Sequence, residues 1–162
     1  MSETSELLER FRRGAELVAV SITGAAGSEM DFVPQAGQWS IRQIVAHLCD
    51  AEIVATMRVR QIVAEENPRL QSWDQDAWAT NLDYAKRKPS QSLETFRRVR
   101  AENYELLKDL PESTFERKGN HTERGPITLL QLVRLMAEHA ENHAAQLRAR
   151  RGEFKAAKAS AQ

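Results

Sequence analysis

Cysteine is nearly absent: Cys49 is the only one in the chain. A lone cysteine cannot build a disulfide framework, which suits a reducing cytoplasm. It also excludes cysteine-rich zinc sites, so any metal must sit on histidines and carboxylates. Glycine (7) and proline (5) are scarce, leaving few places where the backbone is made to turn. Net charge is absent too, because 23 Lys and Arg offset 23 Asp and Glu. No overall field therefore recruits nucleic acid or an anionic membrane. No apolar run approaches the roughly 18 residues of a membrane span. The opening Met1-Ser2-Glu3-Thr4-Ser5-Glu6 has no signal-peptide hydrophobic core. Internal repeats and strand-like alternation are missing as well. The expectation is a cytoplasmic protein with neither nucleic acid nor membrane as partner.

What is present is helix-forming. Ala, Leu, Glu, Arg and Gln dominate 162 residues, about one domain in length. Apolar residues recur at helical spacing over four stretches, so the fold class is all-α and the architecture a four-helix bundle. The first helix covers about residues 4 to 23, with Leu7, Leu8, Phe11, Ala15, Val18 and Ile22 on its inner face. The second begins at Ser40 and lasts until just before Pro68. The third runs from about Ser90 to Leu110, and the fourth from Thr128 to about Arg150. Residues 1–150 are thus expected to form one bundle domain, with 151–162 a flexible tail. Residues 67 to 89 make a connection far longer than the 2 to 8 residues usual in a bundle. Within it Trp73–Trp78 reads as a short helix capped by Ser72.

The second and fourth helices begin with the same device. Ser40 with Gln43 and Thr128 with Gln131 are capping boxes, and Trp39 with Ile44 and Ile127 with Leu132 are hydrophobic staples. Both helices carry histidine on their apolar stripes. His139 and His143 lie about 40° apart on one face, with Leu132, Leu135, Met136 and Gln146. Buried neutral imidazoles need partners, and the spacing alone admits either hydrogen bonds to neighbouring helices or a divalent metal. His47, with Ile44, Ala51 and Val54, sits about 10 Å past its cap; the 139/143 pair sits about 13 Å from a helix end at Arg150. Antiparallel second and fourth helices bring all three imidazoles to one level. The long 67–89 crossover permits this as an up-down-down-up topology. Three histidines with an open side suit a catalytic rather than a closed structural ion. Zinc, nickel, iron and manganese all accept imidazole.

With these residues placed, the chain resembles the DinB-like superfamily, in particular its YfiT-like metal-dependent enzymes. The matching pieces are Trp39-Ser40-Ile41-Arg42-Gln43-Ile44-Val45-Ala46-His47-Leu48, Trp73-Asp74-Gln75-Asp76-Ala77-Trp78, His121 to Leu129, and Glu138-His139-Ala140-Glu141-Asn142-His143. The resemblance implies an up-down-down-up bundle and a metal site on His47, His139 and His143. It also implies thiol S-transferase, isomerase or hydrolase chemistry and, since dimers are common among relatives, a homodimer. The leading reading is a transferase using a low-molecular-weight thiol of the bacillithiol or mycothiol type. The alternatives are a hydrolase that activates water and a stress-associated bundle that binds metal or a partner without catalysis.

Other residues have lesser claims. Asp50 reads first as a structural acid and second as a group orienting an imidazole from behind. Gln146 is the better polar neighbour of the site. His121 is either a mouth residue or an ordinary loop histidine. Trp39, Trp73 and Trp78 wall a pocket or belong to the core. Arg58, three turns past His47, is expected to pair with an acid, and Cys49 to be a small core residue. Glu138 and Glu141 are expected to face solvent.

Overall fold

The four apolar stripes become four long helices in the computed structural model, which describes residues 2–162. They are α1 (Glu3–Ser21), α3 (Ile41–Ala64), α5 (Pro89–Leu107) and α6 (Leu129–Ser160). Two short helices, α2 (Ser28–Asp31) and α4 (Gln75–Asn81), lie in the connections. Both capping boxes close in both directions. Gln43 N donates to Ser40 Oγ at 3.3 Å while Ser40 N donates to Gln43 Oε1 at 2.9 Å. Thr128 and Gln131 repeat the exchange at 3.1 and 2.9 Å. Each cap is worth about 1 kcal/mol and pins the start of a histidine-bearing helix.

The core divides into two lobes, and the order in which each helix visits them gives its direction. α1 supplies Leu7, Leu8 and Phe11 to one lobe and then Ala15 and Val18 to the other. α6 follows the same order, with Leu132 and Met136 before Ala144 and Leu147. α3 and α5 visit the lobes in reverse: Ile44 and Leu48 precede Val59 and Ile62, and Phe96 precedes Leu107. α1 and α6 therefore run one way, and α3 and α5 the other. Arg100 sits at the junction, 1% exposed, with its guanidinium between the rings of Phe11 and Phe96. It makes a two-pronged pair with Glu52 at 3.1 and 2.6 Å and donates to the carbonyls of Phe11 and Met136. Gly14 makes room for it: a Cβ there would lie 2.5 Å from Arg100 Nη1.

Three features depart from the sequence reading. The two long connections meet in a small sheet where no strand is expected. β1 (Arg69–Leu70) pairs in parallel with β2 (Lys118–His121), which pairs antiparallel with β3 (Gly125–Thr128). Strands of two to four residues containing Gly, Asn and Pro are too short to show a period. Gly119 admits Leu70, whose Cδ1 would lie 2.7 Å from a Cβ. The short helix begins at Gln75 rather than Trp73, and its cap is Asp74, whose Oδ1 accepts from Ala77 N at 2.9 Å. Ser72 instead donates its N–H to Thr122.

The third departure is α6, which passes Arg150 and continues to Ser160. One glycine, Gly152, costs a helix only about 1 kcal/mol, and contacts to the segment after α1 offset it. Arg150 donates to Gln38 and Glu153, Arg151 donates to Glu29 and the Thr23 carbonyl, and Phe154 meets Phe32 edge-on at 5.5 Å.

Candidate metal centre

Opposed directions of α3 and α6 bring His47, His139 and His143 together at the seam between them. His139 Nε2 lies 3.0 Å from His47 Nε2 and 3.1 Å from His143 Nε2. One nitrogen from each ring falls within 4.8 Å of the others, a grouping that could hold a metal ion. α6 ends at Ser160 rather than at the Arg150 expected from sequence, although Arg150 is its last buried residue.

The protonation pattern fits an ion. His143 Nδ1 lies 2.7 Å from Gln146 Oε1, which can only accept, so Nδ1 carries the proton and Nε2 presents a lone pair. Burial, with the neighbouring His143, pushes His47 down to about 4. Burial, then His143, His47 and Arg100, push His139 down to about 3. Burial also lowers His143. Three neutral rings aim ring nitrogens at one point without enough protons to bridge them all. Bonds of about 2.0–2.1 Å to a tetrahedral ion would set such nitrogens about 3.3 Å apart, close to what is seen. Asp50 does not orient an imidazole. It accepts from the Tyr84 hydroxyl at 2.8 Å and pairs with Arg87, a structural acid. His47 Nδ1 is buried without a hydrogen-bond partner. Its ring is held by indoles instead, stacked on Trp73 at 5.7 Å and tilted against Trp39 at 5.0 Å.

The histidine pKa values carry a stability consequence. Each ring holds fewer protons folded than unfolded between its lowered value and the ordinary 6.5, so stability falls as pH drops through that window. Between pH 7 and 5, above most carboxylate titration, the metal-free protein is expected to lose on the order of 2 kcal/mol at each of His47 and His139. Denaturant midpoints at the two pH values check this; equal midpoints would refute it.

A cavity of about 260 Å³ opens beside His47 and His139. Its apolar wall comes from α6, through Leu132, Leu135 and Met136, and Trp73 closes one side. Trp78 does not line the cavity but braces Trp73 edge-on at 4.8 Å. His121, at the end of β2, is buried on the cavity wall. Its Nδ1 accepts from the backbone N–H groups of Glu123 and Arg124, which leaves the proton on Nε2. Arg58, expected to pair with an acid, instead donates to the Gln71 carbonyl at 2.6 Å and lines the cavity. The sequence reading also missed Arg124 and Glu52 on this wall. Arg124 comes from the β2–β3 turn, where no period marks it, whereas Glu52 stands on the inward stripe of α3 with Leu48, Ala55 and Val59, a signal that could have found it. Cys49 is a buried core residue. Glu138 is exposed, and Glu141 is half-buried in a pair with Arg10.

Known proteins share the sequence pattern and the fold. A metal-dependent hydrolase homologue from Oceanobacillus iheyensis, named "Putative metal-dependent hydrolase", is 30% identical over 120 residues, covering 74% of this chain and 69% of the relative. YfiT of Bacillus subtilis, which carries the same description, is 29% identical over 121 residues, covering 74% and 68%. Its solved structure, a four-helix bundle of unusual topology, superposes with a TM-score of 0.85 at 25% identity, covering 94% of this chain and 90% of that one. A mycothiol-dependent maleylpyruvate isomerase shares the fold at 13% identity, with a TM-score of 0.72 and coverage of 90% and 61%. Among the described residues, no helix is long and apolar enough to cross a membrane. The sequence profile of the DinB superfamily matches residues 8–147, from the first turns of α1 through both histidines of α6. The chain is a member of that superfamily.

Proposed function

We propose that the protein is a metal-dependent enzyme in which His47, His139 and His143 hold a divalent ion, and that it transfers a low-molecular-weight thiol to an electrophile in the adjoining cavity. The observation that carries this is the convergence of three neutral Nε2 atoms at the wall of a cavity large enough for a small molecule. A divalent ion, when bound, acidifies a thiol or water on its free side. The chain's own residues do the rest. Burial keeps the imidazoles unprotonated at neutral pH. Gln146 fixes the His143 tautomer, and Trp39 with Trp73 clamps the His47 ring.

The choice of thiol over water rests on the carboxylates. Glu52 is the acid on the cavity wall, and both its oxygens are taken by Arg100. It is not free to take a proton from water or to pass one to a leaving group. A thiol releases its proton to solvent on ionising; sulfur then bonds to the electrophilic carbon as the leaving group departs with its electron pair. The same fold serves a mycothiol-dependent isomerase, so it accommodates thiol chemistry. Hydrolysis is the second reading, favoured by the description that the two bacterial relatives carry.

Electrophile consumption by zinc- or nickel-loaded protein, with and without added thiol, tests the choice. Thioether formation that requires both metal and thiol is expected. Equal turnover without thiol, with solvent oxygen in the product, would establish hydrolysis instead.

A further inference from the structure

Most buried or half-buried arginines in this protein face an acid: Arg42 meets Asp31, Arg87 meets Asp50, Arg100 meets Glu52, Arg151 meets Glu29. Arg58 does not. It is half-buried on the cavity wall, its Nη2 donates to a carbonyl, and its Nε is buried without any partner. Arg124, from the β2–β3 turn, lines the same cavity and also lacks an ion-pair partner among the described residues. The two are close enough to repel. Burial first, then Arg124, pulls the Arg58 guanidinium below its ordinary pKa, with Glu123 opposing only weakly and from beyond ion-pair distance. His121, on the same wall, is lowered by burial and by both arginines, and its Nε2 keeps its proton. Arginine stays charged in proteins, so its burial without an anion is a standing cost that a ligand could relieve.

We propose that the cavity takes an anionic substrate: a carboxylate or phosphate head group held by Arg58 and Arg124, with an apolar body lying along Leu132, Leu135 and Met136 toward the histidines. Arg58 stands eleven residues past His47, about 16 Å along α3. The head group is therefore anchored at the end of the cavity distant from the imidazoles, and the reacting carbon is presented to them. Guanidinium forks bind planar oxyanions through two parallel hydrogen bonds, which fixes orientation as well as charge. The catalytic half of this picture rests on the metal-enzyme reading; the anion site does not.

Binding of hexanoate, hexyl phosphate and 1-hexanol to the metal-free full-length protein, followed by tryptophan fluorescence (Trp73 lines the cavity) and by calorimetry, tests the proposal. At least one anion should bind at millimolar concentration, at least about tenfold more tightly than the alcohol, roughly the worth of one charge-assisted hydrogen bond. Whichever of the two anions binds more tightly identifies the head group. Arg58→Met should weaken that binding at least about tenfold, while Arg97→Met, on the surface, leaves it unchanged. Arg58→Lys keeps the charge but not the fork and should fall between. With Arg124→Met it carries the test if Arg58→Met does not fold. Equal binding of anion and alcohol, wild-type affinity in the Arg58 and Arg124 variants, or no anion binding would each overturn the proposal. Because no metal is present, a failure of metal binding in a separate assay would sink the enzyme reading and leave this one standing.

Discussion

Protein purified with a His139→Ala substitution is expected to come through chromatography without the divalent metal proposed for the wild type. His139 is the middle ring of the three, with its Nε2 within 3.1 Å of both others. Removing it leaves only two imidazoles, His47 and His143, their ring centroids 5.0 Å apart on different helices, one ligand short of the three that the site offers. The supporting residue gives a scale. Gln146 fixes the His143 tautomer from behind, and losing such a partner typically costs 10–100-fold in metal affinity. Gln146→Ala should fall in that range, and His139→Ala should exceed it. Elemental analysis after purification without added metal or an affinity tag, with competitive titration of each variant, decides the matter. Identical metal content in wild type and His139→Ala would remove the basis for a metal mechanism.

The second large effect is on stability rather than chemistry. Glu52→Ala should destabilise the fold by about 3–5 kcal/mol, because it leaves a buried guanidinium with no counter-charge. Arg100 is 1% exposed and Glu52 3% exposed, so water cannot take over the lost partner. The two carbonyls that Arg100 also contacts solvate the cation only in part. Against a total stability of about 5–15 kcal/mol, such a loss is enough to compromise folding near physiological temperature. Replacing both residues with apolar groups should cost much less, since a buried pair is often no more stabilising than a well-packed hydrophobic substitute. Denaturant unfolding of the single and double variants measures both. A Glu52→Ala midpoint near that of the wild type would mean that the pair is not the keystone its burial indicates.

The two predictions differ in how far the sequence could anticipate them. His139, His143 and His47 were legible because each lies on the inward stripe of a helix whose start is marked by a capping box, and stripe and cap are local properties of a few residues. Their convergence needed only one topological assumption, helix direction, and the long 67–89 connection hinted at it. Arg100, four residues after Phe96 and seven before Leu107, and Glu52, between Leu48 and Ala55, each stand on an inward stripe, but they are 48 residues apart on separate helices, so their pairing is not a local property. Arg58 shows the same limit from the other side: its place on the His47 stripe was visible, but that its fork meets a carbonyl and an open cavity depended on where Gln71 and the β2–β3 turn came to rest. Asp50 reads from its sequence first as a structural acid, but that its partners are Tyr84 and Arg87 from the crossover depended on the packing.

The sequence by itself determined the helical class, the starts of the two histidine-bearing helices and the inward stripes on which the imidazoles stand, because periodicity and capping act over three or four residues of chain. Only the tertiary structure decided that the two long connections zip into a sheet, that α6 runs on to Ser160, and that two arginines and His121 line the cavity beside the histidines. Those outcomes depend on groups far apart in the chain competing for the same partners, and that competition is settled only when the helices pack.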